Sequence, residues 1–431
     1  MSPMGYHPGP RADIQKTELK NGLVLISEAM THLRSVSIGV WLRAGSRFES
    51  AERNGVAHFI EHLLFKGTEG RAAGDIARAI DAIGGQLDAF TDKEYVCVYA
   101  RVMDRHLAVA FGILADILLR PAFPPAEVRR ERNVIFEEIN TIEDSPHELI
   151  HDYYLANLWP GHPLGRPVSG TKETVAAIRR RDLCDFFRRH YSGRNMVIAV
   201  AGNLRHSQVQ RLAERHFGEL AAGEPAEPGP PPRLQAGRVV RNKANLEQVH
   251  ICLGTGCPSL LSRDRFSVHL LSTILGGGMS SRLFQNIREK RGLVYSIESV
   301  ISLFSDAGTM AVSAAAVPAA AARVVDLVLK ELRTLRRVLV SRGELSRAKE
   351  FVEGSFLLGL ENSSSRMMHL AQQQLYFDRL FSVRETLDRI EQVRSSDVRR
   401  VCNDILDSSS LALTALGNDR GGALQSVALK V

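Results

Sequence analysis

The chain has little that would fix it by covalent bonds or in a membrane. Its five cysteines (Cys97, Cys184, Cys252, Cys257, Cys402) are scattered through 431 residues. Their number is odd and no pair has Cys-x-x-Cys spacing, so neither a disulfide framework nor a cysteine zinc site is expected; the thiols read as reduced. No run of 18 apolar residues is present, which excludes a hydrophobic membrane-spanning helix. Residues 1–15 carry proline and glycine but no apolar core, and so do not read as a secretory leader. Aromatic residues make up only 6%, and 55 Lys+Arg are interspersed with 48 Asp+Glu, for a net charge of +7 without a basic block. That pattern serves solubility and does not predict a nucleic-acid surface. The expectation is a soluble cytoplasmic protein with neither nucleic acid nor membrane as a partner.

What is present is ordinary globular material, 44% hydrophobic and 24% charged, enough for two or three domains. One stretch stands out, His58-x-x-Glu61-His62, set in the apolar run Ala57, Phe59, Ile60, Leu63, Leu64. On a helix, residues four apart share a face, so His58 and His62 can reach one ion. Paired imidazoles suit Zn²⁺, and Glu61 between them can reach a water held by the metal without being a ligand. The order is the inverse of the His-Glu-x-x-His helix of many zinc peptidases. A histidine on an apolar helix is ordinarily a packed core residue. Here three polar groups share one short helix, and burying each is costly unless it is partnered.

Around this motif the pattern predicts strands at 20–27, 35–42, 86–92, 95–101 and 196–201. It predicts helices at 54–66, 72–83, 104–119, 125–143, 146–157, 172–190 and 206–218. The run Gly223 to Arg233 is dominated by proline and glycine and reads as an extended spacer. It divides the chain into an N-terminal domain, 1–221, a linker, 222–237, and a C-terminal domain, 238–431. The halves look like repeats: the strand from Val36 matches the one from Val249, and Ala57–Leu64 matches Val268–Leu275. His269 then falls opposite His58, and Ser272 and Thr273 opposite Glu61 and His62, so the second copy lacks the ligands. The fold class is α+β, two homologous domains, each a mainly antiparallel sheet packed with helices.

A catalytic zinc needs a third protein ligand. The best candidate segment is the helix around Glu131, Glu137 and Glu138, where Glu131 and Glu138 lie two turns apart and nearly on one face. Helix geometry alone leaves Glu137 and Glu138 both open.

These motifs, taken together, resemble the pitrilysin and mitochondrial processing peptidase family of inverzincin zinc peptidases, in its branch of shorter bacterial chains. The likeness covers nearly the whole length: Gly84-Gly85 with Asp88-Ala-Phe-Thr91 and Glu94-Tyr95, Glu131 with Glu137-Glu138, His162-Pro163, Asn195-Met-Val, the Gly276–Arg282 stretch, and Arg288 to Tyr295. The resemblance implies His58, His62 and Glu138 as ligands of Zn²⁺ and Glu61 as general base. It implies Glu131 as a carboxylate orienting a ligand histidine, and Arg288 and Tyr295 as residues that bind substrate carbonyls and the oxyanion. It further implies that the strand at 86–91 pairs with an extended peptide and that the protein is a homodimer or pairs with a related subunit. Asp88 departs from the family pattern, where asparagine is common. Some relatives persist as noncatalytic partners after losing the site; the intact set His58, Glu61, His62 and Glu138 favours a zinc endopeptidase acting on unfolded peptides or presequence-like segments. The Gly276–Gly278 loop is either a substrate contact or a tight turn.

Overall fold

The computed structural model describes residues 13–431; the first twelve residues, most of the stretch that does not read as a leader, lie outside them. The first half runs β1 (Asp13–Glu18), β2 (Val24–Ala29), β3 (Ser35–Leu42), α1 (Val56–Leu64), α2 (Ala73–Asp81), β4 (Gln86–Thr91), β5 (Val96–Met103), α3 (Leu107–Leu119), α4 (Pro125–Asp144), α5 (Pro146–Leu158), α6 (Lys172–Ala177), α7 (Arg180–His190), β6 (Met196–Gly202) and α8 (His206–Phe217). The second runs β7 (Gly237–Asn242), β8 (Val249–Cys257), α9 (Arg265–Gly276), β9 (Val294–Leu303), β10 (Gly308–Ala316), α10 (Pro318–Arg337), α11 (Arg342–Gly359), α12 (Ser363–Phe377), α13 (Val383–Gln392), α14 (Ser395–Ile405), β11 (Ala412–Gly417) and α15 (Ala423–Ser426).

The strand orders are β1-β2-β6-β3-β5-β4 and β7-β11-β8-β10-β9. Dropping the edge strand β1 makes the two topologies identical. In each, the first and last strands pair in parallel (β2 with β6, β7 with β11) and all other pairs are antiparallel. The mainly antiparallel α+β architecture expected from the sequence is therefore present twice.

The chain packs into two compact units, and each is discontinuous. One comprises the chain up to Phe136, Val168–Pro228 and Gly359–Leu380; the other comprises Glu137–Pro167, Gly229–Leu358 and Phe381–Val431. The break at Pro228 falls inside the expected linker, but the units are not the contiguous halves 1–221 and 238–431. Two equivalent helices have changed places, because each sheet has an apolar face that its own half leaves uncovered. In the first unit α12 lies over Ile26, Trp41, Cys97 and Val197 through Met367, Leu370, Ala371 and Leu375. Trp41 Nε1 donates to Met367 Sδ at 3.4 Å, and Arg366 pairs with buried Glu28 at 2.6 Å. In the second unit α5 covers Cys252, Ala311, Ala412 and Leu416 through Leu149, Ile150, Tyr154 and Leu158. The Tyr154 hydroxyl sits 2.8 Å from Thr309 Oγ1. A glycine in each central strand admits the helix: a Cβ on Gly39 would overlap Met367 Sδ, and one on Gly254 would lie 2.5 Å from the Tyr154 oxygen.

The linker forms neither helix nor strand before β7, yet it is tied down. Asn195 holds it at Glu224 and Ala226 (2.9 and 2.6 Å), and Arg47 Nε donates to Pro228 O at 3.1 Å in the first unit. In the second unit, Gln235 N donates to Leu158 O at 3.0 Å.

The helix expected over 172–190 is broken into α6 and α7, since Ile178 turns extended and Arg132 Nη2 bonds its carbonyl at 2.8 Å. The strand β1 has no apolar alternation, being mostly exposed along its length, and carried no readable signal. All five cysteines are free thiols, and burial pushes Cys252, Cys257 and Cys402 up to about 12. Among the described residues no helix is long and apolar enough to cross a membrane.

Candidate metal centre

Helix α1 divides its nine residues by face. Val56, Phe59, Ile60, Leu63 and Leu64 are buried in the apolar core, which leaves His58, Glu61 and His62 along the other side, as the three- and four-residue spacing requires. The ring centroids of His58 and His62 are 4.7 Å apart, and His58 is 8% exposed.

The start of α1 is fixed by a residue that no local capping rule points to. The Glu49 carboxylate accepts from Gly55 N, Ala57 N and Asn54 Nδ2, each at 2.8 Å. Two of these donors belong to the N-terminal turn, whose amide groups have no partner within the helix. Gly55 itself stands at φ +97°, and a Cβ there would lie 2.7 Å from Ser169 O, so only glycine fits. Burial pushes the Glu49 carboxyl up from 4.5 to about 7, against the pull of the three donors and of the Lys93 charge.

The division between the two units falls inside α4, which nevertheless runs unbroken from Pro125 to Asp144. Its first part is anchored by Arg132, bonded to the carbonyls of Val175 and Ile178 at 3.4 and 2.8 Å. One turn of this helix places Glu131, 3% exposed, where Oε2 lies 3.3 Å from His62 Nδ1 and Oε1 lies 2.9 Å from Lys66 Nζ. With Nδ1 engaged in this way, Nε2 is the nitrogen through which His62 would coordinate an ion.

Two turns further along α4, Glu138 joins the histidines: the ligand atoms of His58, His62 and Glu138 all lie within 4.8 Å of one another. Around a tetrahedral zinc with bonds of about 2.0–2.1 Å, such atoms would stand roughly 3.3 Å apart. The donor set of two imidazoles and one carboxylate suits zinc. Glu137, the alternative left open by helix geometry, is exposed and accepts from Asn140 at 3.4 Å.

Glu61 is half-buried, and Thr91 Oγ1 donates to its Oε2 at 2.5 Å. Its charge also bears on Cys97 and Tyr191, both held protonated chiefly by their burial. Strand β4 ends at Thr91 and lies at the end of the sheet order. Among the described residues, no strand pairs with its outer edge. Asp88, on this strand, accepts from Tyr99 OH at 3.3 Å and from Ala89 N at 2.8 Å.

Arg288 and Tyr295 belong to the second unit, in the π-helical turn Phe284–Glu289 and at the start of β9. The Arg288 guanidinium lies over Phe284 and Tyr295 (4.5 and 5.4 Å to the ring centroids), and Tyr295 is 80% exposed. Gly276 to Gly278 form the turn that closes α9, where Gly277 N donates to Thr273 O at 3.0 Å. Glu49, Lys66 and Thr91 were not singled out from the sequence. Thr91 stood within a noted motif, but its hydroxyl has meaning only once β4 is laid beside α1.

Residues 24–172 match the sequence profile of insulinase (peptidase family M16), and residues 177–352 match that of the peptidase M16 inactive domain. An uncharacterised zinc protease of Mycobacterium leprae is 40% identical over 403 residues, covering 92% of this chain and 90% of that protein. One from Bacillus subtilis is 36% identical over 389 residues, covering 90% and 94%. Among solved structures, a peptidase M16 inactive domain from Pseudomonas fluorescens aligns with a TM-score of 0.88 at 20% identity, covering 94% of this chain and 98% of that one. A protease from Helicobacter pylori aligns with 0.86 at 22% identity, covering 94% and 99%.

Proposed function

The chain belongs to the insulinase peptidase family M16, and from that membership we propose that it is a zinc-dependent endopeptidase acting on extended peptide segments. The observation that carries this reading is the convergence of His58, His62 and Glu138 from two helices within 4.8 Å. These three residues would hold the zinc ion. When bound, zinc supplies Lewis-acid activation of a water molecule and of the scissile carbonyl.

The protein's own residues do the rest. Glu61 accepts the proton of the attacking water on its carboxylate and passes it to the leaving amine as the C–N bond breaks. Glu131 keeps the Nδ1 proton on His62 and so fixes the ring's tautomer and direction, while Lys66 balances the charge of this buried acid. The outer edge of β4 offers backbone donors and acceptors to an extended peptide, which selects unfolded segments over folded ones. Arg288 and Tyr295 supply a cation and a hydroxyl for substrate carbonyl oxygens.

The test is cleavage of a quenched fluorescent peptide, with metal content measured on the same samples. Glu61→Gln is expected to keep stoichiometric zinc and lose cleavage by at least about a hundredfold. A chelator should abolish wild-type cleavage, and added zinc should restore it. Full activity of Glu61→Gln, or chelator-resistant cleavage, removes the reading.

A further inference from the structure

The bond between Thr91 and Glu61 ties the last residue of the edge strand to the helix that carries the histidines. At 2.5 Å it falls in the range of a hydroxyl donating to an ionised carboxylate. The second unit repeats the connection without the acid: Ser272, at the helix position matching Glu61, has its Oγ 2.9 Å from Ser299 Oγ on β9, the counterpart of β4. A side-chain clamp between this helix and this edge strand is thus common to both repeats, and in the first its helix side is the proposed base.

We propose that Thr91 is a positioning residue for peptide hydrolysis: its hydroxyl holds one oxygen of Glu61 and leaves the other directed at the attacking water. This rests on the reading of Glu61 as the base. A carboxylate has two equivalent oxygens and free rotation about its last bond; one strong donor on Oε2 removes that freedom before substrate arrives. Because Thr91 closes the strand on which the peptide would lie, one element sets both the substrate backbone and the base.

The test compares Thr91→Val, which keeps the shape and loses the donor, with Thr91→Ser, which restores the donor. Thr91→Val is expected to lower kcat about tenfold or more with KM and bound zinc unchanged, and Thr91→Ser to return kcat to within about threefold of wild type. A kcat for Thr91→Val within about twofold of wild type overturns the proposal. So does a loss that follows KM or zinc content, or a serine variant no better than valine. A second measurement does not depend on catalysis. In the metal-free protein, Thr91→Val should lower the thermal midpoint in the wild-type background and lower it less in a Glu61→Ala background; equal shifts show that the hydroxyl is not coupled to Glu61 and overturn the proposal. Should Thr91→Val fail to fold, Thr91→Ala enters the same comparisons. Glu61→Gln run alongside separates the two failures: if it cleaves normally the base is wrong, and if it is inactive while Thr91→Val is fully active only the positioning role is wrong.

Discussion

In the first repeat the helix after the third strand presents His58, Glu61 and His62; in the second, the helix after the matching strand presents His269, Ser272 and Thr273. The two helices share a place in the topology and an apolar buried face, and they differ in how their polar stripe is satisfied. Thr273 bonds back to the carbonyl of His269 at 2.9 Å, Ser272 reaches Ser299, and burial lowers the His269 imidazole below its ordinary value. The Thr273 bond stays within the helix and the Ser272 bond crosses to β9, and no carboxylate is among these partners. In the first repeat more of the partners come from elsewhere in the chain, and most are carboxylates: Glu131 behind His62, Glu138 facing both histidines and Glu49 at the first turn, with Thr91 on Glu61 and Lys66 just past the helix end. A candidate metal centre on this fold is therefore an assembly of carboxylates gathered from three places in the chain, and losing the two histidines and Glu61 from α1 would leave the fold standing, as the second repeat does.

The comparison breaks most severely at the ligands. Glu138→Gln is expected to weaken zinc binding by at least about a hundredfold, measured by competition with a chromophoric chelator, whereas Glu137→Gln should leave it unchanged. The reverse result would move the third ligand by one residue. A smaller effect tests the exchanged helices. Gly39→Ala and Gly254→Ala should each cost about 1–3 kcal/mol in stability, because the added methyl meets packed atoms. Met367→Ala should recover part of the loss at Gly39, where Met367 and Trp41 side chains are in the way. Tyr154→Phe should not recover the loss at Gly254, where Met310 O and Ala311 Cα of the backbone also crowd the site.

The smallest effect concerns pH. The folded chain keeps the Glu49 proton between pH 4.5 and about 7, a window in which the unfolded chain has released it. The group's contribution to stability is therefore complete below about 4.5 and is lost as pH rises through about 7. Glu49→Gln cannot ionise, so its thermal midpoint should change less across that window than the wild type's. Identical pH profiles would show that this acid titrates normally.

Much of this was legible in the sequence because the signals are local. The strand over Ser35–Leu42 follows from alternation, α1 from its apolar periodicity, and the hairpin of β4 and β5 from two short apolar runs around a turn. The spacing of His58 and His62 fixes their shared face without any tertiary information. Glu49 was not legible: it lies six residues before Gly55, outside every local capping spacing, and reaches the helix only because the chain between them folds back through Ser50–Asn54. The exchange of α5 and α12 was equally hidden, since an amphipathic pattern says that a face must be covered but not which sheet covers it.

That exchange has a consequence for how the protein is made. The Trp41 face of the first sheet is closed by α12, whose last residue is Phe377. While the polypeptide is still emerging from the ribosome, this sheet must wait with a bare apolar side until Phe377 has been synthesised. The nascent first half is then a natural client for holding chaperones, and a fragment ending at the proline-rich stretch should be insoluble alone and rescued by co-synthesis with the remainder.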